Sequence, residues 1–230
     1  MVHGRFALKL AVFAVTFLVI STSAWADIVT VNVTGQVWQV YGNWGNAPTA
    51  APVASGTSTN NVPVIKQTEM SFSASQVNFS AYGSDTLQSF LNSGGATGLS
   101  NTTGASDPMS NCTGSAFNSS PSCYSTVIEI TGTFNFQGGY VYGLTHDDGV
   151  VMFANGNKVI DSRTPTSAET DTFAGSAADN GNFQIWYMAT NGNPEVLQLS
   201  QTDVPDGGMT LMLLGGALVG LETLRRKFRV

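Results

Sequence analysis

Charge is scarce in this chain, and positive charge scarcer still. Only 10% of residues are charged, and between Asp27 and Asp206 the basic residues are Lys66, Lys158 and Arg163 alone, against fourteen of the fifteen acids, a net of about −11 for the body. A surface so poor in cations does not neutralise a phosphate backbone, so nucleic acid is excluded as a partner. Histidine is nearly absent too, with only His3 and His146. There is no Gly-x-Ser-x-Gly elbow, phosphate loop or dinucleotide fingerprint, which leaves serine hydrolases and nucleotide enzymes without their parts. A glycan-processing pair of carboxylates is set by separation in space, and no feature of the sequence selects one. Two cysteines without a nearby histidine do not make a zinc cage.

What is abundant is apolar residues, at 42%, together with Gly, Ser, Thr and Asn. That balance suits an exported β-protein whose surface is solvated by hydroxyls and amides, and 230 residues fit one such domain plus processing segments. Arg5 and Lys9 precede an apolar run from Leu10 to Ile20, and Ala24-Trp25-Ala26 places small residues at a signal-peptidase site. Residues 1–26 therefore read as a signal peptide cleaved after Ala26; the run is short for a membrane span. In an exported chain Cys112 and Cys123, both in a Ser/Asn/Gly-rich stretch, suggest a disulfide, with two free thiols as the alternative.

At the other end Val204-Pro205-Asp206-Gly207-Gly208 leads into an apolar stretch closed by Arg225-Arg226-Lys227. A breaker outside, an apolar helix over 209–224 and a cationic stop define an orientation in a membrane. The helix is marginal, with sixteen residues reaching about 24 Å against a hydrocarbon core of about 30 Å. The segment 204–230 resembles the PEP-CTERM sorting domains, in the variant that begins Val-Pro-Asp. That resemblance implies an exosortase-type transpeptidase as partner, Val204 to Gly208 as its recognition motif, and a cell-surface or extracellular destination after transient membrane anchoring. Glu222 departs from the apolar pattern of such helices, and a plain uncut membrane anchor is the alternative.

The body reads as strands. From Val127 to Phe136 the pattern alternates, with Ile128, Ile130, Phe134 and Phe136 on one face and Glu129, Thr131, Thr133 and Asn135 on the other. Gln137-Gly138-Gly139 is expected to turn this strand back as a hairpin into Tyr140 to Leu144. Asn155-Gly156 is expected to join Val150–Ala154 to Asn157–Asp161 as a second hairpin. Further strands are expected at 29–33, 37–41 and 77–82 and around Phe183 to Tyr187 and Leu197 to Leu199. One short helix starts at Asp85 as N-cap, carries Leu87, Phe90 and Leu91 on one side, and stops at Gly94. Stretches 43–61 and 93–125 read as loops. The expected fold is all-β, an antiparallel β-sandwich over 27–203 with one short helix, plus the signal helix and the C-terminal transmembrane helix.

Chemistry gathers at one turn. Asp147 and Asp148 are adjacent at a strand end and repel unless a cation or backbone amides satisfy them; oxygen ligands on a tight turn suit Ca²⁺, and Asn191 on a later loop offers an amide oxygen. The plainer reading keeps Asp147-Asp148-Gly149 as a turn, with aspartates capping amides and glycine supplying positive φ. His146 reads as a turn or edge residue. Trp38, Tyr41, Trp44 and Trp186 are candidates for stacking on sugars if they cluster beside Asp147, and core residues if buried. Gly139-Tyr140, Asp147-Asp148-Gly149, Gly156 with Val159-Ile160-Asp161, and Ile185-Trp186-Tyr187 together resemble the protective-antigen-type domain of bacterial toxins, glycosidases and flocculin adhesins, best over the core 127–200. The resemblance implies a β-sandwich and, in its adhesin branch, a calcium ion on Asp147, Asp148 and Asn191 that holds sugar hydroxyls. The expected function is a non-catalytic carbohydrate-binding surface protein whose partner is a glycan or extracellular polysaccharide. A structural matrix protein with no ligand is the alternative, and a glycan-processing enzyme the remoter one.

Overall fold

The computed structural model of the chain describes residues 26–42, 46–54, 63–66, 70–83, 85–112, 123–190, 192, 194–204, 215–219, 222 and 225–226. Residues 1–25, Trp44, Asn191 and Pro205 to Gly208 lie outside them, and with them most of the expected signal peptide and of the expected sorting motif. Residues 215–219 of the expected span 209–224 are helical; among the described residues no helix is long and apolar enough to cross a membrane.

Two antiparallel sheets face each other. The larger runs β5 (Thr97–Ser100), β3 (Met70–Gln76), β2 (Thr30–Tyr41), β6 (Tyr124–Phe134), β11 (Gly181–Ala189), β8 (Gly149–Ala154) and β9 (Asn157–Ser162). In the smaller, β12 (Glu195–Asp203) lies between β7 (Tyr140–Asp147) on one side and β1 (Asp27–Ile28) and β4 (Asn78–Ala81) on the other, and β10 (Glu169–Ala174) pairs with the far edge of β7. The sandwich expected from alternation is what forms.

Several elements differ from the sequence reading, each for a local reason. The two short strands expected before residue 42 are one twelve-residue strand, β2. Gly35 at its middle packs against the Phe72 ring, where a Cβ would sit 2.1 Å from the ring carbons. β3 and β10 were not anticipated, because serine and threonine fill their outward positions while Met70, Phe72 and Ala74 alternate inward. β5 forms inside the expected loop 93–125. The helix α1 (Leu87–Ser93) is capped not by Asp85 but by Thr86, whose hydroxyl accepts from Ser89 N–H at 3.2 Å; the Asp85 carboxylate accepts from Tyr82 N–H at 2.9 Å instead.

Gln137-Gly138-Gly139 does not close a hairpin either. β6 belongs to the larger sheet and β7 to the smaller, so this glycine-rich segment carries the chain across the sandwich. Asn155-Gly156 does close one: β8 and β9 pair in antiparallel fashion, with φ of 48° at Asn155 and 81° at Gly156, the positive values a two-residue hairpin requires.

The core lies between the sheets. Phe90 of α1 stacks on Phe79 of β4 at 5.5 Å and on Tyr187 of β11 at 5.9 Å, so the helix packs against a strand of each sheet. A second cluster, Trp38, Val40, Val127, Val151, Trp186 and Met188, lies on the outer face of the larger sheet together with Ala47 and the partly buried Ile65. Backbone bonds from Tyr41 N–H to Val64, from Lys66 N–H to Gln39 and from Ala47 N–H to Arg163 hold the covering segment down. Under it Trp38 and Trp186 are 2% exposed and stacked at 6.0 Å, so neither indole is available to a sugar.

Candidate functional site

Asp147-Asp148-Gly149 is a crossing between sheets rather than a simple turn. β7 ends at Asp147 in the smaller sheet, β8 begins at Gly149 in the larger, and the Asp147–Asp148 peptide is cis. The later passage from β11 to β12 crosses back at the same end, since Met188 pairs with Gly149 and Val196 with Asp147. Two corners thus meet, and what they bring together is acidic and buried.

Asp147 is 6% exposed and Asp148 fully buried. Asp148 Oδ2 accepts from Thr190 N–H at 2.8 Å. Thr190 is held in turn by Ser110, whose hydroxyl donates to its carbonyl at 2.6 Å, and by Ser125, whose Oγ lies 3.0 Å from its Oγ1. Burial raises the Asp147 carboxyl above its ordinary value, with a backbone hydrogen bond from Ala168 and the neighbouring His146 pulling the other way. Gly149 does not supply positive φ, as the turn reading required: a Cβ there would stand 2.1 Å from the Arg163 carbonyl oxygen, so the glycine permits close approach of backbone.

The residue that sequence reading missed is Glu195, the first of β12. It is fully buried, and burial first, then the charge of Asp148, raises its carboxyl well above the ordinary value. Tyr187 Oη lies 2.6 Å from Glu195 Oε2 and also donates to the Asp147 carbonyl. One phenolic proton cannot fill both contacts, and a protonated Glu195 donating to the phenol oxygen completes the set. Glu195 Oε1 is buried with no hydrogen-bond partner among the described residues. Period two was the available signal, because Glu195 shares its parity with Leu197 and Leu199 on the core face. His146 is likewise no edge residue: it is fully buried on β7, with Nδ1 2.6 Å from the Asp148 carbonyl oxygen.

These groups suit a hard cation by chemistry: three carboxyl groups press on one another at a buried corner, and Glu195 Oε1 has no hydrogen-bond partner among the described residues. Asp147, Asp148 and Glu195 are not the donors that already converge; among the described residues the triplet with ligand atoms all within 4.8 Å is His146, Glu169 and Asp171. A hard cation placed at the crossing would need backbone oxygens or water as well as the aspartates.

A separate concavity lies at the opposite end of the larger sheet. It encloses about 1490 Å³ and is lined by Asn32, Thr34, Ser73, Thr131, Phe134 and Gln184 among others, with no charged side chain.

Residues 93–204 match the family model of the PA14 domain. Among solved structures, the PA14 domain of the MpAFP antifreeze protein is 19% identical over 80% of this chain and 86% of its own, with a TM-score of 0.46. The PA14 sugar-binding domain from an RTX adhesin is 22% identical over 75% of this chain and 89% of its own, with a TM-score of 0.42. A β-glucosidase from Kluyveromyces marxianus, in complex with glucose, aligns over 76% of this chain but 17% of its own, at 12% identity and a TM-score of 0.38. No curated protein matches the chain.

Proposed function

We propose that this chain, matched over residues 93–204 by the PA14 domain, is an exported, non-catalytic carbohydrate-binding module that holds its sugar through calcium at the Asp147–Asp148 crossing. The observation that carries the reading is the burial of both aspartates beside Glu195, an arrangement a plain surface turn does not need. Calcium would neutralise the corner and leave coordination positions for vicinal hydroxyls, with Asn191 as an additional ligand. Arg5, Lys9, the apolar run from Leu10 to Ile20 and the cleavage site at Ala26 support export, and the Val204 to Gly208 segment, read as an exosortase motif, supports delivery to the surface.

The frame suits that role. Asp147 faces Val196 at the start of β12, whereas Asp203, at its far end, faces Tyr140. A tail leaving at Val204 therefore departs from the end of the sandwich remote from the crossing, and a tethered domain turns the crossing end away from its anchor.

The test is a polysaccharide-binding assay on the exported chain with calcium and with chelator, repeated on Asp147→Asn and Asp148→Asn. Binding that needs calcium and is lost in both variants supports the reading. Calcium-independent binding that survives both variants but is lost in Thr131→Glu moves the sugar to the uncharged concavity, which favours a neutral glycan. No binding under any condition leaves the structural matrix protein.

A further inference from the structure

The edge pair of the smaller sheet assembles a second donor set that the crossing does not use. His146 of β7 stands opposite Glu169 of β10 in register, and Asp171 stands opposite Leu144, two residues along from each on the same face. The ladder thereby aims three side chains at one point. His146 Nε2 is 3.0 Å from Asp171 Oδ2 and 3.9 Å from Glu169 Oε1, and the three donor atoms all lie within 4.8 Å of one another.

The histidine is fixed by what lies behind it. Its Nδ1 faces the carbonyl oxygen of Asp148 at 2.6 Å, and a carbonyl only accepts, so the hydrogen sits on Nδ1. In the neutral ring Nε2 then presents a lone pair, and it presents it to two carboxylates. Lone pairs brought this close need a proton or a metal ion between them. Two ligands at about 2.0–2.1 Å from one tetrahedral ion stand about 3.3 Å apart, and the observed 3.0 and 3.9 Å separations bracket that value. Outer contacts are in place on the protein side as well: the Asp148 carbonyl orients the imidazole, and the Ser162 hydroxyl donates to Glu169 Oε1 at 3.0 Å. The histidine side chain is fully buried while those of Glu169 and Asp171 are 47% and 41% exposed, so an ion enters from solvent and keeps room for water.

We propose that His146, Glu169 and Asp171 form a binding site for a divalent transition ion of the zinc class, separate from the calcium-type oxygens of Asp147 and Asp148. One imidazole with two carboxylates selects a borderline ion over calcium. Bound there, the ion clips β10 to β7. Through the His146 ring it also fixes the Asp148 carbonyl, so the edge of the sheet and the sheet crossing become one rigid unit.

The experiment titrates the exported chain, expressed without a polyhistidine tag, with Co²⁺ and Zn²⁺ in the presence of excess Ca²⁺, following the cobalt ligand-field absorption and calorimetric heat. The expected result is one ion per chain, a cobalt spectrum displaced by zinc and not by calcium, and a loss of about tenfold or more in affinity in His146→Gln and in Glu169→Gln. Glu169→Gln alters a half-exposed group and keeps the variant series readable if His146→Gln fails to fold. Absence of a cobalt spectrum, or equal affinity in the wild type and Glu169→Gln, overturns the proposal and leaves a protonated His146 paired with its carboxylates.

Discussion

The Tyr187 hydroxyl and the Glu195 carboxyl meet at 2.6 Å in the interior of the sandwich, and both side chains are fully buried. A carboxyl in that position favours its protonated form. The folded state therefore holds a proton that the unfolded chain releases, and the stability this gives is complete below the ordinary value of about 4.5 and is lost as pH rises towards the raised one. Asp147 shifts in the same direction.

Thermal melts of the calcium-free chain should show that loss directly. The expected slope is up to about 1.4 kcal/mol per pH unit for each proton involved, starting above about pH 4.5. Glu195→Gln keeps the contact to Tyr187 without the titration, and its melting temperature should be flatter over pH 4.5 to 8 on the order of one proton's slope. A variant that melts with the wild-type pH dependence places the titration elsewhere.

Calcium should reverse the trend. Cation binding displaces protons from the corner, so affinity should rise with pH, and protons should be released on titration in buffers of different ionisation heat. At a hundredfold excess over Kd the stabilisation is about 2.7 kcal/mol, or roughly 5 to 10 °C in melting temperature for a domain of this size. Asp147→Asn should abolish the shift; an undiminished shift in that variant would refute the assignment.

Two glycines separate close approach from backbone conformation. Gly149→Ala forces a methyl onto the Arg163 carbonyl, with an expected cost of about 3 kcal/mol. Gly156→Ala meets nothing within 4 Å but must hold a φ of 81°, at a cost of about 1–2 kcal/mol. Urea denaturation of both variants tests the order, and only Gly149→Ala should also weaken calcium binding, because only it displaces the crossing.

The bond between Cys112 and Cys123, with Cα atoms 5.0 Å apart, closes a short loop across a sequence separation of 11. Opening a loop of that size should cost about 3 kcal/mol on the chain-entropy account. Melting the Cys112→Ser/Cys123→Ser pair against the oxidised wild type measures it. Phe90→Ala, which empties the stack between Phe79 and Tyr187, should cost about 3–5 kcal/mol and gives the scale.

How much of this was legible depends on which signal each element left. β6 and the β8–β9 hairpin announced themselves through strict alternation and Asn155-Gly156. β3 alternates as well, but its serines carry no strand preference, and β10, Glu169–Ala174, reads as polar linker until its partner strand is known. The Asp147–Asp148 pair was visible, yet its burial was not, since a hairpin turn and a passage between sheets share the same Asp-Asp-Gly spelling. Glu195 and His146 were both on core-facing positions by parity, and what they touch comes from strands far away in sequence. Asn191 and the Val204 to Gly208 motif were read from sequence, and apart from Val204, whose N–H donates to the Gly139 carbonyl at 2.9 Å, they fall outside the described residues.

The placement of β12 also decides how the domain responds to force. Asp27 pairs with Gln201, so load applied between the two ends of the body peels the two residues of β1 away bond by bond. Load applied between a ligand at the proposed site and a tether beyond Val204 would run along β12, whose register with β7 is continuous from Val196 to Asp203. Those bonds lie perpendicular to the pull and must fail together. A grip at one end and an anchor at the other therefore stress the sheet in shear, the direction in which a β-ladder yields last.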